Sequence, residues 1–157
     1  MGFYVDHLPI FCQLRDRDCL IVGGGHIAYR KANLLVKAGA IVDVIAPEIE
    51  PELRQLVEQS TGQYIQAPFS DSILATPYRL VIAATDQPAV NKAVFEQCEA
   101  RNLLVNSVDD IPHCRFMVPA IIDRSPLVVS VASNGASPVL SRQLRTQIET
   151  IVPHGMG

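Results

Sequence analysis

A chain of 157 residues suffices for one domain with a small appendage and for a proper buried core. Hydrophobic residues at 48% and charged residues at 18% exclude a disordered tail. The net charge of −3, from 13 Lys plus Arg against 16 Asp plus Glu, lacks the basic excess that nucleic-acid or anionic-membrane binding requires. No apolar run reaches membrane-spanning length, and Met1 to Asp6 lacks the basic start of a secretory leader, so a cytoplasmic setting is expected.

In chain order, Leu8 to Leu14 reads as an edge strand, the place where Pro9 is tolerated. Cys19 to Val22 is a short continuous apolar run, the mark of a strand covered on both faces. Gly23-Gly24-Gly25 ends it. Apolar positions at helical spacing then predict a helix over His26 to Lys37, closed by Gly39. Ile41 to Ala46 is the second strand, Pro51 opens a helix to Gln59, and Tyr64 to Gln66 is a short strand. Asp71 is expected to cap a brief helical turn, and Asp86 to cap a helix that continues through Pro88 to Arg101. Leu80 to Ala84 and Leu103 to Val108 are further strands. Repeated βαβ units of this size imply a parallel sheet with helices on both faces.

The pattern changes after Cys114. Arg115 to Ile122 and Leu127 to Ala132 are predicted to form a hairpin about Asp123-Arg124-Ser125-Pro126. Ser137 and Pro138 then supply an N-cap and an N1 proline for a helix to Ile151, with Leu140, Leu144, Ile148 and Ile151 on one stripe. That stripe exceeds what a hairpin covers, which points to a second subunit. The expected division is therefore 1–113 as a dinucleotide-binding domain and 114–157 as a hairpin-plus-helix dimerisation unit. The spacing of Cys12, Cys19, Cys98 and Cys114 matches no metal or redox motif, so they are expected to be small hydrophobes in a reducing compartment.

Gly23-Gly24-Gly25-His26-Ile27-Ala28 matches G-x-G-x-x-A between a strand and a helix, the context of a dinucleotide fingerprint. Gly23 makes the turn, Gly25 leaves room for a pyrophosphate, and Ala28 lets the helix approach the sheet. The free N–H groups of the helix start, at His26 and Ile27, face the phosphates. The fold class read from this is α/β: a Rossmann-like doubly wound parallel sheet, followed by a small α+β unit. Glu48, after Pro47 at the end of the second strand, is placed to read a ribose and favour NAD; the alternative is a solvent-facing residue. Asp109-Asp110 at a strand end reads either as general-base chemistry or as a polar hinge, and His113 either as a base or as a solvated loop residue.

Several segments taken together carry a resemblance: Asp6-His7-Leu8-Pro9-Ile10-Phe11, the glycine turn with Arg30-Lys31-Ala32, Ala83-Ala84-Thr85-Asp86, Asn106-Ser107-Val108-Asp109, and Ser137-Pro138-Val139-Leu140. In this order they resemble the N-terminal module of siroheme synthase, the precorrin-2 dehydrogenase and sirohydrochlorin ferrochelatase family. The resemblance implies NAD-dependent oxidation of precorrin-2 to sirohydrochlorin, with insertion of ferrous iron as a second activity. It implies Asp109 as the catalytic residue, and Gly23, Gly25, His26, Ile27, Pro47, Glu48 and Thr85 as cofactor-binding. Ser133 would border the tetrapyrrole, the module would form a homodimer, and a fused uroporphyrinogen methyltransferase would occupy the rest of a longer protein. His26 and the loop Asp110 to Cys114 depart from the family pattern. Two other readings stand beside the dehydrogenase: a chelatase alone, and a non-catalytic NAD-binding dimerisation module.

Overall fold

The computed structural model describes residues 7–152. Two compact units are found, residues 11–116 and residues 7–10 with 117–152. The first holds β1 (Asp18–Val22), α1 (His26–Lys37), β2 (Ile41–Ile45), α2 (Pro51–Gln59), β3 (Tyr64–Ile65), β4 (Leu80–Ala83), α3 (Pro88–Glu99) and β5 (Leu104–Ser107). The five strands lie in the order β3-β2-β1-β4-β5 and every pairing is parallel. This is the Rossmann-like arrangement read from the alternation of elements.

The core follows from the strand period of two. In β1, Cys19 and Ile21 face a cluster with Ala28, Ala32 and Leu35 of α1 and with Leu53 and Val57 of α2. Leu20 and Val22 face the opposite layer, against Val94 and Cys98 of α3 and Leu74. With both faces covered, these strands carry no polar alternation, hence the run Cys-Leu-Ile-Val. The chain leaves β1 to one side for β2 and later to the other for β4. The C-terminal ends of β1 and β4 therefore form a switch point, where open α/β sheets leave a crevice.

Three expectations change. Leu8 to Leu14 forms no strand among the described residues: none of them pairs with it, and Leu8, Ile10 and Phe11 are exposed. Asp71 and Asp86 cap nothing. Ser70 and Gln87 hold the N-cap positions, neither with a side-chain cap bond. Near the expected 113/114 division, Cys114, Arg115 and Phe116 remain bonded to β5. Cys114 bridges Asn106, the Arg115 N–H donates to the Val105 carbonyl at 2.7 Å, and the Asn106 amide donates to the Phe116 carbonyl at 3.0 Å.

In the second unit, β6 (Ala120–Arg124) and β7 (Leu127–Val131) pair antiparallel, and α4 (Pro138–Ile151) packs on them. The hairpin turn has two residues, not four: Arg124 already pairs with Leu127. Asp123 secures it by accepting from the Ser125 N–H at 2.9 Å and hydroxyl at 2.7 Å, which holds its carboxyl below the ordinary value. Ser137 caps α4 as expected, accepting from the Leu140 N–H at 3.2 Å. The buried residue of α4 is Ser141, while Leu140, Leu144 and Ile151 of the predicted stripe are exposed. Among the described residues no helix is long and apolar enough to cross a membrane.

Candidate functional site

A cleft of about 1130 Å³ lies at the C-terminal ends of the parallel strands and is built within residues 11–116. Its floor is the glycine turn. Gly23 has φ +126°, and a Cβ there would lie 2.4 Å from the Ala84 carbonyl oxygen. A Cβ on Gly24 would lie 1.8 Å from the Glu48 carbonyl oxygen, and the Gly24 carbonyl accepts from the Glu50 N–H at 2.8 Å. Both glycines are therefore demanded by the protein's own packing. The sequence reading left Gly24 without a role, because the carbonyl that restricts it comes from the loop after β2.

Gly25 differs. A Cβ there meets nothing within 4 Å, so its missing side chain serves open space. It is also the N-cap of α1, with no side-chain cap bond and no acidic residue in the first helical turn. The helix start thus offers uncapped N–H groups and the positive end of its dipole to the cleft. An open cradle at Gly25, against uncapped donors at His26 and Ile27, fits the pyrophosphate of a dinucleotide.

The walls carry the other expected residues. Pro47 and Glu48 line the cleft, their loop held by the Tyr64 hydroxyl donating to the Ala46 carbonyl at 3.1 Å and the Gln66 amide donating to the Pro47 carbonyl at 3.3 Å. Asp43, the other acidic residue near this end, is spent on the fold: it accepts from the Gln63 N–H at 2.8 Å and the Tyr78 hydroxyl at 2.9 Å. That bond and burial push the Tyr78 phenol well above its ordinary value, burial being the larger cause.

Thr85 lines the cleft with a committed side chain. Its hydroxyl lies 2.7 Å from Asn91 Oδ1 and accepts from the Gln87 N–H at 3.2 Å. Asn91, buried in the first turn of α3, also takes the Thr85 N–H at 3.1 Å and donates to the Thr85 carbonyl at 3.0 Å. Sequence reasoning missed Asn91; its only signal was a polar residue on the buried face of α3. This knot occupies the place an Asp86 cap would have filled, and it leaves Asp86 exposed on the cleft wall.

The two adjacent aspartates separate in role. Asp110 Oδ2 lies 2.6 Å from His113 Nδ1, and the His113 ring packs edge-on against Phe95 at 4.7 Å. A short 3₁₀ turn, Ile111–His113, follows Asp110 directly, which the sequence did not suggest. Asp109 lines the cleft with φ +58°, a left-handed conformation that Asp tolerates, and among the described residues its carboxylate makes no hydrogen bond. Lys31 lies within its electrostatic reach. Burial and then Arg30 pull the Lys31 amine below its ordinary value, while Cys114 and Asp109 act in the opposite direction. Among the described residues no group of three His, Cys, Asp or Glu side chains is arranged to hold a metal ion.

Ser133 lies in the second unit. Its hydroxyl donates to the Ser137 carbonyl at 2.9 Å and accepts from the Ser137 N–H at 3.1 Å and the Ser141 hydroxyl at 3.0 Å, bracing the start of α4.

Residues 10–120 match a family model described as "Putative NAD(P)-binding". The chain belongs to this NAD(P)-binding family. It is 73% identical over 149 residues to a siroheme synthase of Acinetobacter baylyi, covering 95% of this chain and 33% of the relative. A siroheme synthase of Chromobacterium violaceum is 48% identical over 98% of this chain and 32% of its own length. The resemblance read from the motifs is thus borne out, and the chain spans about a third of the length of the curated relatives it matches. The fold agrees with a solved structure named "SirC, precorrin-2 dehydrogenase": TM-score 0.81, 24% identity, covering 94% of this chain and 72% of that one.

Proposed function

We propose that this chain is the NAD-dependent dehydrogenase module of a siroheme-forming protein, converting precorrin-2 to sirohydrochlorin. The observation that carries the reading is that Asp109, a carboxylate without a hydrogen-bond partner among the described residues, lines the same cleft as the glycine turn. In this reading Gly23, Gly25, His26 and Ile27 hold the pyrophosphate, while Pro47, Glu48 and Thr85 flank the nucleoside. Glu48 accepts from the ribose hydroxyls, which selects NAD over its 2′-phosphate.

Dehydrogenation removes two hydrogens from the macrocycle, one as a hydride and one as a proton. Bound NAD supplies the hydride acceptor. Asp109 accepts the proton, held by the end of β5 rather than by a free loop. Ser133 borders the tetrapyrrole in this reading, a role taken from the family resemblance.

The relatives are about three times longer than this chain, which leaves room for a further domain; from the family resemblance we take that domain to be a uroporphyrinogen methyltransferase, the module to be a homodimer joined through residues 114–151, and the setting to be cytoplasmic. Ferrous iron is a substrate of a second, ferrochelatase step on the same module.

The test is absorbance at the NADH band with precorrin-2 generated in place. Asp109→Asn is the better probe than Asp109→Ala, because Asn keeps the left-handed backbone accessible. It should bind NAD normally and turn over about 10²–10⁴-fold more slowly. Full-speed turnover by that variant removes Asp109 from the chemistry. An unmodified chain that binds NAD without turnover favours the non-catalytic module.

A further inference from the structure

A second cavity, of about 520 Å³, lies at the N-terminal ends of β1, β4 and β5, away from the cleft. The five residues of β1 separate the two, roughly 16 Å at the usual strand rise. Leu14, Leu80 and Leu104 give it an apolar lining. Arg15, Arg17 and Arg79 line it as well, against the single carboxylate of Asp16.

These arginines stand apart from most others in the chain. Arg54, Arg101, Arg115, Arg124 and Arg145 each have a carboxylate partner. Among the described residues Arg15, Arg17 and Arg79 have neither an ion pair nor a side-chain hydrogen bond. Arg30 and Arg142 also lack an ion pair among the described residues; Arg15, Arg17 and Arg79 differ in lining one concavity together. An anion seated in the concavity is attracted by all three of these exposed guanidinium groups. Guanidinium forks match carboxylate geometry in two-bond fashion, and an apolar lining adds affinity only for a ligand with a hydrocarbon frame. The volume lies within the roughly 300–1,000 Å³ usual for small-molecule sites.

We propose that this cavity binds a small organic polycarboxylate through Arg15, Arg17 and Arg79, over the apolar lining of Leu14, Leu80 and Leu104. The site is separate from the cofactor cleft, and inorganic phosphate, with charge but no apolar body, should bind it poorly.

The cavity contains its own reporter. Cys12 lines it and is exposed, whereas Cys19 and Cys98 are buried with thiols pushed up to about 11, and Cys114 is half-buried. Modification of the 157-residue chain by N-ethylmaleimide at neutral pH, read by mass spectrometry of the Cys12 peptide, follows occupancy. Tricarballylate at millimolar concentration should slow that modification about tenfold, while phosphate at equal ionic strength changes it less than about twofold. Arg79→Gln and Arg15→Gln, both exposed positions, should each abolish the protection and leave NAD affinity unchanged. Absence of protection in the unmodified chain overturns the proposal. So does protection that survives both substitutions, or equal protection by phosphate, which would mean general screening.

Discussion

A methyl group at Gly24 would sit 1.8 Å from the Glu48 carbonyl oxygen, whereas one at Gly25 would meet nothing within 4 Å. Two adjacent glycines therefore respond to substitution in opposite ways. Gly24→Ala should destabilise the chain by about 2 kcal/mol or more, since the clash is with backbone and the turn must shift. Gly25→Val should keep its melting temperature and lose NAD binding, because its branched side chain fills the cradle. Thermal melts paired with calorimetric NAD titration check both; a folded Gly25→Val chain with normal affinity removes the pyrophosphate assignment. The thiols offer a second test. Burial raises Cys19 and Cys98 to about 11 from a reference of 9.0, so the unfolded chain ionises first. Their contribution is complete below pH 9 and is lost as pH rises from about 9 to 11, on the order of 2 kcal/mol per thiol by pH 10.5. Urea midpoints under reducing conditions at pH 8 and 10.5 should show a fall that is smaller in a Cys19→Ala, Cys98→Ala chain, the remainder coming from groups such as Tyr78. The fingerprint was legible because its constraint is local, a turn and a helix start. The Gly24 and Asn91 constraints were not, since each depends on a loop brought close only by the sheet.

At the scale of elements, the helices were the most legible part. Pro51 and Pro138 each open a helix at the predicted residue, and α3 opens at Pro88, one residue later than an Asp86 cap would set, because a ring that fixes φ and lacks an N–H is best placed in the first turn. Strands were less so. The apolar residues of Leu8 to Leu14 look like a ladder that the described residues do not form, and β6 starts at Ala120 because Cys114 to Phe116 pair with β5 instead. An aspartate before a helix is a cap only if nothing better fills the space, and at α3 the Thr85–Asn91 knot does. At α4 the cap is real and can be weighed. Ser137→Ala removes the bond to the Leu140 N–H and should cost about 1 kcal/mol. Because the Ser137 carbonyl still holds Ser133 and Ser141, the loss should stay local. Amide exchange at Leu140 should become about fivefold faster while that of β1 stays unchanged. Equal acceleration in both units would mean that the cap supports the whole chain.

For the whole molecule the open question is what covers the hairpin unit. The helix α4 turns Ser141 toward its own unit, where Glu149 holds Arg124 and Arg145 at 3.3 and 3.1 Å. Most of its apolar residues are exposed: Leu140, Leu144 and Ile151 are 47%, 40% and 75% exposed while Ile148 is half-buried, and Leu127 and Val128 of β7 are 41% and 39% exposed. A unit that buries little beyond Ile122 and Ser141 while exposing these leucines has its apolar surface arranged for a partner. A second copy is the simplest one, since a two-fold axis lets a single self-complementary patch cover itself. The prediction is a light-scattering mass near twice 17.2 kDa at micromolar concentration. Leu140→Glu with Leu144→Glu should yield monomers, as each subunit would otherwise bury two carboxylates in the interface. Every residue lining the cleft belongs to residues 11–116, so those monomers should bind NAD with unchanged affinity. Precorrin-2 turnover should fall in the same variant if the hairpin unit borders the substrate, as the Ser133 assignment requires. An unmodified chain that runs at 17.2 kDa, or a double variant that stays dimeric, places the interface elsewhere.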